Sequence, residues 1–134
     1  MIPRYTRPEM GRIWEDENRY SKWLEVEIAA CEAMAQEGLV PEEALRNIKE
    51  KAAFSVERIL EVEEQTKHDV IAFLTNLEEH IGLDSRYLHL GLTSSDILDT
   101  SFALLLKEAM ERIIAGAKGF MEVIKKRAME HKYT

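Results

Sequence analysis

The chain has 134 residues, enough to bury one sizeable core, and 46% hydrophobic with 32% charged content, three Pro and six Gly, excludes a disordered or fibrous protein. A formal net charge of -7 argues against a general nucleic-acid surface, which needs clustered Lys and Arg to displace counterions, but leaves room for a small anionic ligand held by local donors. A single cysteine rules out an internal disulfide and fits a reducing compartment.

Residues Met1 to Arg7 are expected as a short extended arm, because Pro3 and Pro8 disfavour helix at the residues before them. Its polar side chains, Arg4, Tyr5 and Arg7, either reach an anion or decorate a loose terminus. The arm has no apolar signal-peptide core, and no window approaches the ~20 apolar residues of a membrane span, so the expected location is cytoplasmic, with no membrane partner. Pro8 suits the first turn of a helix running through Glu9, Met10, Ile13 and Trp14. A second helix is expected from Arg19 to Gly38, its apolar residues recurring at three- and four-residue steps and Gly38 closing it. Cys31 lies in its apolar run IAACEAMA and reads as a buried structural thiol. Pro41-Glu42-Glu43 restarts helix as far as about Ala53.

Ser55 is the next N-cap, ahead of a helix through Ile59, Leu60 and Val62. The polar run EVEEQTKHD from Glu61 to Asp69 then breaks the pattern, and Val70 to Ile81 resumes it, with His80 as a favourable charge in the last turn before Gly82. Tyr87 to Leu90 is the one stretch that reads as a brief strand. From Asp96 to about His131 no proline occurs, and Phe102, Leu106, Ala109, Ile113, Ala117, Phe120, Ile124 and Ala128 mark one helix of roughly 36 residues, about 54 Å long. Met110, Ile114, Met121 and Met129 widen the stripe, which implies packing on more than one partner in a bundle. Gly116 and Gly119 weaken this helix locally and permit close approach. The expected fold class is all-α.

The groups that can carry chemistry sit at the joints between helices. In RYLHLGLTSSDILDT, Thr93 and Asp96 fit a capping box, and Thr93, Ser94 and Ser95 flank a helix start whose unpaired N–H groups suit a phosphate or carboxylate. An ordinary N-cap explains the same residues. His68, in Lys67-His68-Asp69 at a helix junction, suits a general acid, a phosphate ligand or a solvated junction of mixed charge. His89, four residues before Thr93, is either within reach of the anion pocket or a packed side chain, while His131 reads as a helix-end charge. No HExxH or CxxC spacing, Gly-rich phosphate loop or G-x-S-x-G context occurs, so neither metal nor cofactor is expected.

Taken together, PRYTRPEM, TKHDVIAF and RYLHLGLTSSDILDT opening a very long helix resemble the N-terminal part of the adenylosuccinate lyases, in the fumarase/aspartase superfamily. The resemblance covers essentially all 134 residues in three motifs in the right order. It implies an N-terminal helical domain over 1-92 and, over 93-134, the first long helix of a central bundle, assembled as a homotetramer in the full-length family. It also implies β-elimination of fumarate from succinyl-AMP and from succinyl-aminoimidazole carboxamide ribotide, with a small anionic nucleotide as substrate. On that resemblance Arg4, Tyr5, Lys67, His68, Asp69, Thr93 and Ser94 are substrate-binding positions, His68 is catalytic on the leaving-group side, and His89 matches a further active-site histidine.

The chain stops at Thr134, where the family continues into its second catalytic histidine segment, and it lacks the later loop bearing the serine base. The expectation is therefore a fragment without lyase turnover of its own. The competing expectation is a non-catalytic helical interaction module, whose TSSD turn is only a cap and whose long helix is a partner surface. Convergence of Arg4, His68, His89 and Ser94 on one concave surface favours the lyase, and scatter favours the module.

Overall fold

A computed structural model describes residues 2–134, and among them are six α-helices, three 3-10 turns and no β-strand. The chain is all-α. The 3-10 turn Pro3–Tyr5 replaces the expected extended arm: the Tyr5 N–H donates to the Ile2 carbonyl at 3.0 Å, so the short arm satisfies its own backbone by curling. Met1, the start of the expected arm, lies outside the described residues. Helix α1 (Pro8–Gly11) has proline in its first turn and passes into the 3-10 turn Arg12–Trp14.

Helix α2 (Asp16–Gln36) begins earlier than its apolar pattern, because Asp16 and Glu17 suit the positive end of the helix dipole. Gly38 ends it at φ +74, which lets the Leu39 N–H reach back to the Met34 carbonyl at 2.9 Å. Helix α3 (Glu42–Lys51) carries acids at its start and lysines at its end. Helix α4 (Val56–Thr66) is capped by Ser55, whose hydroxyl accepts the Arg58 N–H at 3.3 Å. It continues through the polar run expected to interrupt it, since Val62 still faces the core while Glu61 and Glu64 lie in solvent. The break comes only at Lys67, a left-handed residue at φ 53.

Helix α5 (Asp69–Ile81) is apolar enough to bury Val70, Ala72, Phe73, Leu77 and Ile81, and it ends at Gly82. The 3-10 turn Leu83–Tyr87 follows. The brief strand expected over Tyr87 to Leu90 is not formed, since a lone extended run has no second strand to pair with. Its amides are satisfied otherwise: the Leu88 N–H donates to the Ser85 carbonyl at 2.9 Å and the His89 N–H to a Glu27 side chain. Helix α6 (Ser94–Glu130) spans 37 residues, about 56 Å at the usual rise.

Helix α2 is the axis of the core. Tyr20, Trp23, Glu27, Cys31 and Ala35, at steps of three and four, are all buried on one stripe. Tyr20, Trp23, Phe54 and Phe73 pack as an aromatic cluster joining α2, α5 and the α3–α4 connection. On α6, Ile97, Ser101, Leu105 and Ala109 are buried at four-residue steps, the first in the main core and the last two against Ile13. Helices α2 and α6 run antiparallel: Asn18 and Lys22 near the start of α2 bond Glu108 at 3.1 and 2.8 Å, while Glu27 further along α2 meets His89 just before α6. Beyond Ala109 every residue of α6 is exposed, so the helix projects about 30 Å past its last buried position.

Candidate functional site

Connections between helices place the expected site residues in three groups. The first is the turn leading into α6. Glu27, fully buried on α2, accepts two hydrogen bonds from His89: the backbone N–H on Oε2 at 2.8 Å and ring Nδ1 on Oε1 at 2.7 Å. A carboxylate donates nothing when ionised, so the proton of this short contact belongs to Nδ1, and Nε2 is the ring nitrogen left for a ligand. His89 adopts φ 58, an uncommon conformation for a side-chain-bearing residue, with its backbone N–H and its ring both against the Glu27 carboxyl. Cys31, one turn further along α2, adds a second tether by donating its thiol to the Tyr87 carbonyl at 3.2 Å. Burial, and then the nearby Glu27, push that thiol up to about 11, which makes Cys31 a structural thiol and not a nucleophile.

The chain then turns through Gly91 at φ +72, with the Leu92 N–H on the His89 carbonyl at 3.2 Å, and enters α6. The Asp96 carboxylate accepts the Thr93 N–H at 2.8 Å, closing one side of the cap. Ser94 and Ser95 occupy the first positions of α6, where a helix leaves its own amides unused. His89, Thr93 and Ser94 thus belong to one short loop, with imidazole, hydroxyls and helix-start amides at the same end of the fold.

The second group is the turn between α4 and α5. His68 is the N-cap of α5, its Nδ1 accepting the Ile71 N–H at 3.4 Å, which leaves Nε2 directed away from the helix backbone. Asp69 Oδ1 lies 3.6 Å from the same Nδ1 and accepts the Val70 N–H at 2.7 Å. Lys67 is exposed beside them. The sequence pattern names this junction but not the cap, because histidine is uncommon among capping residues. The two histidines thus differ in what their Nδ1 faces, a backbone N–H for His68 and a carboxyl oxygen for His89.

The third group is the arm. The Arg4 guanidinium lies over the Tyr5 ring, 4.8 Å from its centroid, and a groove of about 720 Å³ runs between the arm and α6, lined by Tyr5, Arg7, Met10, Arg112, Ile113 and Gly116 among others. Arg112 is eighteen residues after Ser94, or about 27 Å along α6. The segment that leads to His89 folds back along α5, since Leu83, Ser85, Arg86 and Leu88 line one cleft with Ile71, Leu74, Thr75 and Glu78. The chain alone brings His89, Thr93 and Ser94 together, and Lys67, His68 and Asp69 together, but it does not bring the arm to the TSSD turn. Within one chain the arm packs near the middle of α6, against Arg112, Ile113 and Gly116, and the helix acts as a rigid spacer between it and Ser94.

Sequence reasoning missed Glu27. The available signal was its place on the apolar stripe, four residues after Trp23 and four before Cys31, where a carboxylate must find buried partners. Among the described residues no group of His, Cys, Asp and Glu could hold a metal ion, and no helix is long and apolar enough to cross a membrane.

The pattern of a protein family described as lyase matches residues 4–134. The adenylosuccinate lyase of Bacillus subtilis (strain 168) is 48% identical over 134 residues, covering 100% of this chain and 31% of that protein. The adenylosuccinate lyase of Synechocystis sp. (strain ATCC 27184 / PCC 6803 / Kazusa) is 50% identical over the same share. The crystal structure of fumarate lyase from Mesorhizobium sp. BNC1 is similar with a TM-score of 0.68 and 28% identity, over 74% of this chain and 24% of that one. The chain spans about a third of the length of these curated relatives. A family match over nearly every residue, joined to an all-α fold and a likeness to a solved fumarate lyase, leads to one conclusion: the chain belongs to the lyase family.

Proposed function

We propose that the chain is the N-terminal substrate-binding part of an adenylosuccinate lyase, which eliminates fumarate from succinyl-AMP and from succinyl-aminoimidazole carboxamide ribotide. The observation that carries this is His89, locked through Nδ1 with Nε2 free, in the same loop as the hydroxyls and amides of Thr93 and Ser94. Such a loop can hold an anionic oxygen without a bound metal. In the complete protein a base removes the Cβ proton of the succinyl group, an aci-carboxylate forms, and an acid protonates the departing nitrogen. His68 serves the leaving side through Nε2, the ring atom its capping bond leaves open. Lys67, Asp69, Thr93 and Ser94 hold polar and anionic groups, and Arg4 and Tyr5 serve a site completed by another subunit, in keeping with their distance from Ser94.

This assignment divides the chain into a helical domain over 1-92 and the first bundle helix over 93-134, in a cytoplasmic homotetramer, and gives the 134-residue chain no turnover of its own. Calorimetric titration with AMP and succinyl-AMP tests it, comparing wild type with Ser94→Ala and His68→Ala. Binding weakened by either change supports the site, whereas binding indifferent to both removes these residues from it. Fumarate release by the purified chain would contradict the proposed inactivity.

The exposed apolar face of α6 favours the second reading, a helical interaction module. The titration separates the two, because a module has no reason to bind either nucleotide.

A further inference from the structure

We infer that Glu27 is a positioning residue: it dictates the tautomer and direction of the His89 ring and so decides which nitrogen meets the substrate. The inference rests on His89 being a site residue, as proposed above. Glu27 is wholly shielded from solvent, and a carboxylate there is costly unless its oxygens are bonded. Its bonds go to a single residue, with Oε2 on the backbone N–H and Oε1 on Nδ1, so backbone and ring of His89 are fixed together. The His89 side chain is 18% exposed, which leaves its outer edge open, and Nδ1 is already engaged.

A carboxylate only accepts, so the neutral ring must carry its proton on Nδ1 and present the Nε2 lone pair outward; when the ring is protonated, the outward atom becomes a donor. Either way contact with a ligand passes through Nε2, in a direction set by α2, which also tethers this loop through the Cys31 thiol on the Tyr87 carbonyl. Among the sequence neighbours of His89, Leu92 bonds its backbone carbonyl, whereas the ring is bonded by Glu27. The left-handed backbone of His89, at φ 58, would otherwise relax toward the common regions.

The test is Glu27→Gln. Glutamine keeps the shape, yet its amide oxygen can satisfy the His89 N–H only by turning its NH2 toward Nδ1, which then has to accept. The expected result is reversal of the neutral tautomer, read from the 15N shifts of the labelled His89 ring: Nδ1–H in the wild-type chain and Nε2–H in Glu27→Gln. Wild-type shifts showing Nε2–H, or a tautomer unchanged in the variant, would overturn the inference. The wild-type measurement stands by itself if the variant fails to fold. In the complete lyase carrying the same substitution, kcat should fall at least tenfold, with Glu27→Asp recovering part of the loss. A reversed tautomer with unaltered turnover would instead remove His89 from the reacting site, so the two failures are distinguishable.

Discussion

The Tyr20 and Phe73 rings stack at 5.8 Å with only 10° between their planes, and both side chains are completely buried. This pair joins α2 to α5, and Trp23 meets Phe73 edge-on at 5.5 Å, so Phe73 is the centre of the cluster on which the first core is built. Phe73→Ala would leave a cavity among three aromatic rings that are too large to collapse into it. A loss of about 4 kcal/mol is expected in urea unfolding followed by circular dichroism. A loss below about 1 kcal/mol would mean that the cluster is not the structural centre.

Cys31 should be inert in the folded chain. Its thiol is buried, bonded to the Tyr87 carbonyl and pushed up to about 11 by desolvation and then by Glu27, so almost no thiolate exists at neutral pH. Alkylation by iodoacetamide should be slow in native buffer and rapid in denaturant. Equal rates in both would show that the loop carrying His89 is not tethered as described.

Lys22 and Glu108 fasten α6 to α2. The bond from Lys22 holds the Glu108 carboxyl below its ordinary 4.5, and the same bond, followed by that to Glu25, holds Lys22 above its ordinary 10.5. A depressed carboxyl contributes stability that is present above 4.5 and lost as acid protonates it; a raised ammonium contributes stability that is present below 10.5 and lost as alkali removes its proton. The contribution of the pair is therefore level across the neutral range and declines at both ends. Lys22→Met should cost about 1 kcal/mol at neutral pH, and the difference from wild type should shrink toward acid. A difference that grows on acidification would reverse the assignment.

The free half of α6 should make the chain associate with itself. Ile113, Phe120 and Ile124 recur at helical spacing, and each is more than half exposed. Sedimentation at tens of micromolar is expected to show oligomers, and the combined substitution Ile113→Glu, Phe120→Glu and Ile124→Glu is expected to yield monomers with unchanged helicity. A wild-type monomer at that concentration would refute the expectation.

The sequence by itself determined the helices, their order and most of their ends, because apolar spacing, proline, glycine and capping residues act locally. Ser55, Gly38 and Thr93 with Asp96 needed no knowledge of the rest of the chain. It also singled out Lys67-His68-Asp69 and the TSSD turn, as polar groups placed where helices join. Only the tertiary structure decided which partners those groups meet. Glu27 and His89 are 62 residues apart, and a glutamate on a helix looks solvated until another loop closes over it. The separation of the arm from Ser94 was hidden for the same reason: helical periodicity fixes a length and a face, while which segment lies against that face depends on contacts distant in sequence.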